Sequence, residues 1–219
     1  MNGIPHWYFH KLDNKYANYK IKCLDPNLLI DTILPPDNIV GSVVYPACEI
    51  VKPGTIKHIA GNRFSLGEPE GIESDRLKFI SDMLKRAGFR APIQKNIRDE
   101  IWLKLIGNLS FNPISALTGA TLEQICNDQG TEAIVRAMMT EAKIIAEELG
   151  AKINMSIEKR IEGARKVGAH KTSMLQDIEA GKPIEIDSII VAVKELGELT
   201  CSPTPYINTI LSLILPVSY

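Results

Sequence analysis

Two textures of hydrophobic patterning divide the chain. Residues 39–50 are rich in valine and isoleucine and contain Pro46, the pattern of a strand that is interrupted or lies at a sheet edge. Lys52-Pro53-Gly54 reads as a turn. Residues 55–60 and 63–66 then read as two short strands joined through Gly61-Asn62 in a hairpin. Leu77, Ile80, Met83 and Leu84 recur at spacings of three and four, which predicts an amphipathic helix over 74–87 closed by Gly88. Residues 89–94 read as one more strand. From Asn96 onward the period is helical, with helices predicted over 97–117, 121–127, 131–149, 156–167, 173–180, 188–196 and 206–215. Their expected stops are Gly119, Gly150, Gly168, Gly181, Gly197 and the Ser202-Pro203 break.

The change of texture puts a domain boundary near Lys95, with mixed strands in 1–95 and an all-α domain in 96–219. Composition narrows the function classes. The 25 basic residues are offset by 26 acidic ones, so no nucleic-acid surface is expected. No stretch approaches the roughly 20 apolar residues of a membrane helix. The apolar run 207–217 is interrupted by Asn208, Thr209, Ser212 and Pro216 and reads as a buried core helix. The N-terminus lacks a basic flank followed by a long apolar region, so no secretory signal is read there. Cys23, Cys48, Cys126 and Cys201 lie far apart without a C-x-x-C, which fits a reduced cytoplasmic protein with neither disulfide nor zinc site. His6 and His10 are four apart, but Trp7, Tyr8 and Phe9 fill the gap, and no metal is expected.

The helix predicted over 97–117 carries the first candidate chemistry. Apolar residues surround it on every side, the mark of a buried helix. Yet Lys104, Asn108 and Asn112 recur at i, i+4 and i+8, stacked along one stripe. Pro113 should bend the helix there, since it removes a backbone donor. A lysine and two amides inside an apolar helix are costly unless something polar faces them, and a ligand would serve. A narrow solvent-exposed stripe would serve equally, and the pattern alone leaves both open. Trp102 should lie close to Lys104.

A second segment, Lys171-Thr-Ser-Met-Leu-Gln-Asp-Ile178, leads through Gly-Lys-Pro into Ile184-Glu-Ile-Asp187. Read locally, Ser173 is a helix N-cap with Gln176 at the capping-box position. Glu185 and Asp187 precede the next helix, where acidic residues favour its positive end.

Together the two segments resemble the ketopantoate reductases. Asn96-Ile-Arg-Asp-Glu-Ile-Trp-Leu-Lys-Leu-Ile-Gly-Asn108 through Asn112-Pro-Ile-Ser-Ala-Leu117 looks like the start of that family's helical domain. Ser173-Met-Leu-Gln-Asp177, with Glu185-Ile-Asp187 beginning twelve positions after Ser173, looks like its second signature. Asn2-Gly3 is similar to the Asn-Gly that follows a strand of the nucleotide-binding domain. The resemblance implies an α+β/α fold class, with part of a Rossmann-type domain followed by an all-α domain. It implies NADPH-dependent reduction of 2-dehydropantoate to pantoate, in pantothenate and coenzyme A synthesis.

It also implies roles. Lys104 would be the general acid, Asn108 and Asn112 would bind the substrate's hydroxyl and neighbouring oxygens, and Ser173 its carboxylate. Glu185 would touch cofactor and substrate and help keep Lys104 protonated. Asn2 would sit at the nicotinamide end against both ligands, and the backbone at Ala47 would line the cofactor. The expected partners are a small 2-keto acid and a second copy of the chain.

Family members place G-x-G-x-x-G ahead of this region to hold the cofactor's pyrophosphate. No such run occurs here, since Gly61, Gly67 and Gly71 have the wrong spacing, so a truncated nucleotide-binding half is expected. An uncovered sheet edge is expected within 39–66 for the same reason. The aromatics at 7–9 could reshape the substrate pocket or simply pack. Three readings follow: a reductase, an inactive remnant, or a helical module that binds a small carboxylate.

Overall fold

The computed structural model describes residues 2–217. A short helix α1 (Ile30–Ile33) and a 3-10 turn (Pro36–Asn38) lead into four strands, β1 (Gly41–Val44), β2 (Ala47–Lys52), β3 (Thr55–Ala60) and β4 (Phe64–Gly67). Helix α2 (Asp75–Arg86) follows. Then come α3 (Ile97–Thr118), α4 (Leu122–Asn127), α5 (Gln129–Glu148), α6 (Ile157–Val167) and α7 (Ser173–Glu179). A π-helical turn (Asp187–Val191) opens α8 (Ala192–Thr200), and α9 (Pro205–Ile214) closes the described chain.

The strands form two antiparallel pairs, β1 with β4 and β2 with β3. The hairpin expected through Gly61-Asn62 is not made. Its place is taken by a turn at Pro53-Gly54, where Gly54 has φ +76°. The reason lies at Tyr45-Pro46. Proline has no N–H to continue the ladder, so β1 ends at Val44. The chain runs out as the β2–β3 ribbon and returns as β4 beside β1, with Val44 opposite Phe64 and Gly41 opposite Gly67. Every residue of β3 is exposed, and Ile50, Val51, Ile56 and Ile59 keep their side chains in solvent. The strand expected over 89–94 is reduced to two isolated parallel bridges, Arg90 with Arg63 just before β4 and Ile93 with Leu66 of β4.

Helix α3 is the axis of the fold. It runs unbroken through Pro113 and buries fourteen residues against α4, α5, α7, α9, β1 and β4. Asn96 caps it, accepting from the Arg98 amide, and Gly119 ends it in the left-handed conformation. The core joins both ends of the sequence: Ile4, Phe9 and Ile21 pack in one cluster with Leu105, Leu109, Met138 and Ile190. Trp7, Tyr8 and Phe9 are therefore packing residues, with Tyr8 edge-on to Phe9 and to Trp102. Arg98 fastens this segment. Its buried guanidinium donates to the carbonyls of Tyr8, His10 and Pro69 at 2.6, 2.8 and 2.7 Å.

Two local expectations are corrected. Gly197 lies inside α8, which ends instead at Cys201 with φ +56°. A side chain at Gly197 would meet Thr204 Cγ2 at 2.7 Å, so close packing rather than termination explains it. The N-cap of α7 is Thr172, whose side chain accepts from the Leu175 amide, and Ser173 is the first helical residue. Gln176 turns back to the Lys171 carbonyl instead of completing a capping box. The apolar run near the C-terminus is helical as expected, with Ile207, Ile210, Leu211 and Ile214 buried. All four cysteines are free. No helix among the described residues is long and apolar enough to cross a membrane.

Candidate functional site

Lys104, Asn108 and Asn112 line one side of a cavity of about 580 Å³ between α3, α6, α7 and the Tyr45-to-Cys48 stretch. The helical period alone aligns them, and the packing of α3 on every other side leaves this stripe as the face open to a ligand. Ser173 and Ala47 line the same cavity. Asn2 lines it too, and also a second cavity of about 360 Å³ bounded by Trp7, Gly41, Lys104, Glu185 and Ser188. Lys104 and Asn2 are thus common to both spaces.

The polar groups at this junction are tied into one chain. The Asn108 side-chain amide donates to Asn2 Oδ1 at 3.2 Å, and Asn2 Nδ2 donates to Glu185 Oε2 at 2.8 Å. Asn2 is held there by the backbone beside it. Gly3 takes φ +85°, and the Ile4 amide donates to the Ser188 carbonyl at 2.9 Å. A Cβ on Gly3 would stand 2.3 Å from that carbonyl oxygen.

Lys104 Nζ donates to the Val44 carbonyl at 2.7 Å and lies 5.9 Å from the centre of the Tyr45 ring. Burial lowers its pKa from 10.5, and the charge of Glu185 opposes that shift without a direct ion pair. Asn112 is buried, and its Nδ2 has no hydrogen-bond partner among the described residues. Leaving a buried donor unpaired costs about 1–3 kcal/mol, so this atom marks a place where an acceptor belongs.

Each candidate site residue (Asn2, Ala47, Lys104, Asn108, Asn112, Ser173 and Glu185) lines one of these two spaces, but neighbours were missed. Trp102 is fully buried with its Nε1 donating to the Tyr8 hydroxyl at 2.7 Å, and Trp7 is the tryptophan that lines a cavity with Lys104. Gly107 and Arg160 belong to the larger cavity. A lone glycine in an apolar helix is a signal of close approach that was available. Arg160 stands among the exposed charges of Glu158-Lys-Arg-Ile-Glu162, where nothing distinguishes it. Elsewhere, His10, Asp37 and Glu70 approach one another, but the Lys11 ammonium sits among them, and the trio is explained as a salt-bridge cluster.

Of a nicotinamide dinucleotide, only one end fits what is present. Asn2, Lys104 and Glu185 offer donors and acceptors at a cavity wall, whereas no glycine-rich phosphate loop occurs in this sequence.

Residues 96–218 match the sequence model described as "Ketopantoate reductase PanE/ApbA C terminal". A 2-dehydropantoate 2-reductase of Mesorhizobium japonicum is 50% identical over 213 residues, covering 97% of this chain and 65% of its own length. The chain therefore spans about two thirds of that relative. A ketopantoate reductase-like structure from Ralstonia solanacearum MolK2 superposes with a TM-score of 0.94 at 40% identity, covering 99% of this chain and 66% of its own. A ternary structure of D-mandelate dehydrogenase with NADH and anilino(oxo)acetate has a TM-score of 0.80 at 20% identity, a likeness of fold alone. It covers 99% of this chain and 65% of its own.

Proposed function

The chain belongs to the ketopantoate reductase family, and on that premise we propose that it takes part in the NADPH-dependent reduction of 2-dehydropantoate to pantoate. One observation carries this reading above the others. Lys104, Asn108, Asn112 and Ser173 open into a single cavity in which the Asn112 amide is unpaired.

When bound, the reduced nicotinamide supplies a hydride to the keto carbon. The Lys104 ammonium, held by the Val44 carbonyl, donates a proton to the keto oxygen and stabilises the charge that develops there. Its depressed pKa makes that proton easier to give, while Glu185 keeps the cation populated. Asn2 fixes Glu185 and Asn108 relative to each other, so both meet the substrate in one geometry. Asn112 and Ser173 complete the set with hydrogen bonds to the substrate's oxygens, and the Ala47 backbone lines the cofactor side. NADPH rather than NADH, a division of the chain at 95/96, a cytoplasmic location and a homodimer belong to the same proposal. The oligomeric part is read by light scattering.

The test is NADPH oxidation in the presence of 2-dehydropantoate, with NADPH binding measured separately. Lys104→Ala should lower kcat by about 100-fold or more while leaving NADPH binding unchanged. Near-normal turnover would sink the role of Lys104. The second reading is a module that binds a small carboxylate without turnover, favoured by the unpaired Asn112 amide in the cavity that Ser173 also lines. Carboxylate binding by a folded chain that takes up no NADPH would select it. A chain that binds neither is an inactive remnant.

A further inference from the structure

Arg160 is the cavity's second cation, and it is unspent. It rises from α6, and its guanidinium lies across Gly107 of α3, one turn beyond Lys104. A Cβ built on Gly107 would stand 2.3 Å from Arg160 Nη2 and 2.8 Å from Nε, so the absence of a side chain at 107 is what lets the guanidinium reach the helix. Among the described residues the Arg160 side chain donates to no acceptor and pairs with no carboxylate. The other arginines on its helix and below it are satisfied: Arg165 by Glu162 and the Cys126 carbonyl, Arg98 by its three carbonyls. Burial disfavours the Arg160 charge, and the only interaction opposing that shift is with Tyr45, whose hydroxyl is already given to Glu100. A half-buried guanidinium with no acceptor among the described residues leaves its donors for an anion that enters the cavity.

The unpaired Asn112 Nδ2, on the same face of α3, points independently to a missing acceptor in this cavity. The anion is therefore an oxygen-rich group bound between α3 and α6. A planar carboxylate matches the guanidinium fork with two parallel hydrogen bonds, which a lysine cannot offer.

We propose that Arg160 grips the carboxylate of the 2-keto acid substrate, as a specificity-determining residue laid against Gly107. In such an acid the carboxylate carbon is bonded directly to the keto carbon. Whatever holds the carboxylate must then stand within one side chain's reach of the group that serves the keto oxygen. Lys104 and Gly107 are neighbours at i and i+3 on one helix face, which meets that requirement. Ser173, across the cavity, would then contribute one hydrogen bond to a group oriented by Arg160. The assignment rests on the proposed keto acid chemistry, but it concerns the carboxylate alone.

The test is calorimetric titration of the chain with pantoate, 2-oxoisovalerate and the neutral amide of pantoate, with folding checked by circular dichroism. Three variants are compared with wild type: Arg160→Met, Arg160→Lys and Gly107→Ala. The last leaves the charge in place and pushes the flexible end of Arg160 aside. Arg160→Met and Gly107→Ala should each weaken carboxylate binding by about tenfold or more, and Arg160→Lys should restore little of it. The amide should bind wild type and the variants alike. Unchanged carboxylate affinity in Arg160→Met would overturn the inference and leave the reductase reading standing. Binding of 2-oxoisovalerate but not pantoate, still lost in Arg160→Met, would sink the substrate identity and uphold Arg160. A wild-type chain that binds no carboxylate at all overturns the inference.

Discussion

Asn108 donates to the side chain of Asn2 across 106 positions of sequence, and the same Asn2 amide reaches Glu185, 183 positions away. This hydrogen-bonded bridge joins the N-terminal turn, the buried helix α3 and the loop before the π-helical turn. Its geometry is set by backbone as much as by side chains, because Gly3 must adopt φ +85° for the Ile4 amide to meet the Ser188 carbonyl.

Gly3→Ala should therefore destabilise the chain by more than about 1 kcal/mol, since the new methyl group meets backbone that cannot move aside. Gly54→Ala is the control: its φ is +76°, but nothing lies within 4 Å, so it carries only the conformational cost. Urea denaturation of both variants separates the two effects. Equal losses would mean that the contact with Ser188 contributes nothing.

Arg98 is the clamp between α3 and the segment around Tyr8. Arg98→Met removes three hydrogen bonds and strands three carbonyls, and a loss of roughly 3 kcal/mol is expected in chemical denaturation. The intrinsic fluorescence should change as well, because Trp102 is bonded to the Tyr8 hydroxyl beneath the clamp. A variant as stable as wild type would show that this buried cation is dispensable.

Burial holds the Lys104 pKa below 10.5, so the folded chain binds that proton less tightly than the unfolded chain does. The penalty is full at neutral pH. It fades as pH rises through the folded pKa toward 10.5, because in that window the unfolded state carries more protons. Stability of wild type relative to Lys104→Met should thus improve as pH is raised, read as a difference in denaturation midpoints. A difference that stays flat across the window would contradict the burial argument. Turnover should fall over the same range, because the proposed role requires the acid form of Lys104.

Ligand binding should be reported by Trp7, which lines the cavity with Lys104, and not by Trp102, which is sealed in the core. Titration of Trp7→Phe should lose the ligand-dependent part of the emission change, while Trp102→Phe should retain it. The opposite result would move the occupied space away from the Trp7 side.

The helical half was legible because its information is local. Period, caps and glycine stops recur every few residues, and the spacing of Lys104, Asn108 and Asn112 already implied one face of one helix. The strands were legible as strands but not as partners. Pairing β1 with β4 around the β2–β3 excursion depends on Pro46 ending one ladder and on Gly54 turning the next, and no single segment declares both.

Sequence by itself determined the family this chain belongs to and which residues are candidates for its chemistry, since those are fixed by identity and by spacing along a helix. Only the tertiary structure decided which of them meet. Asn2 comes to Asn108 and Glu185, the aromatics at 7–9 turn into core, and Trp7 rather than Trp102 faces the cavity. Arg160 passes from one charge among many to a cation over Gly107 that no carboxylate among the described residues pairs. The physical reason is that burial and pairing are properties of the space between elements. That space is settled by how α3, α6, α7 and the N-terminal segment come together around it, over separations no local pattern encodes.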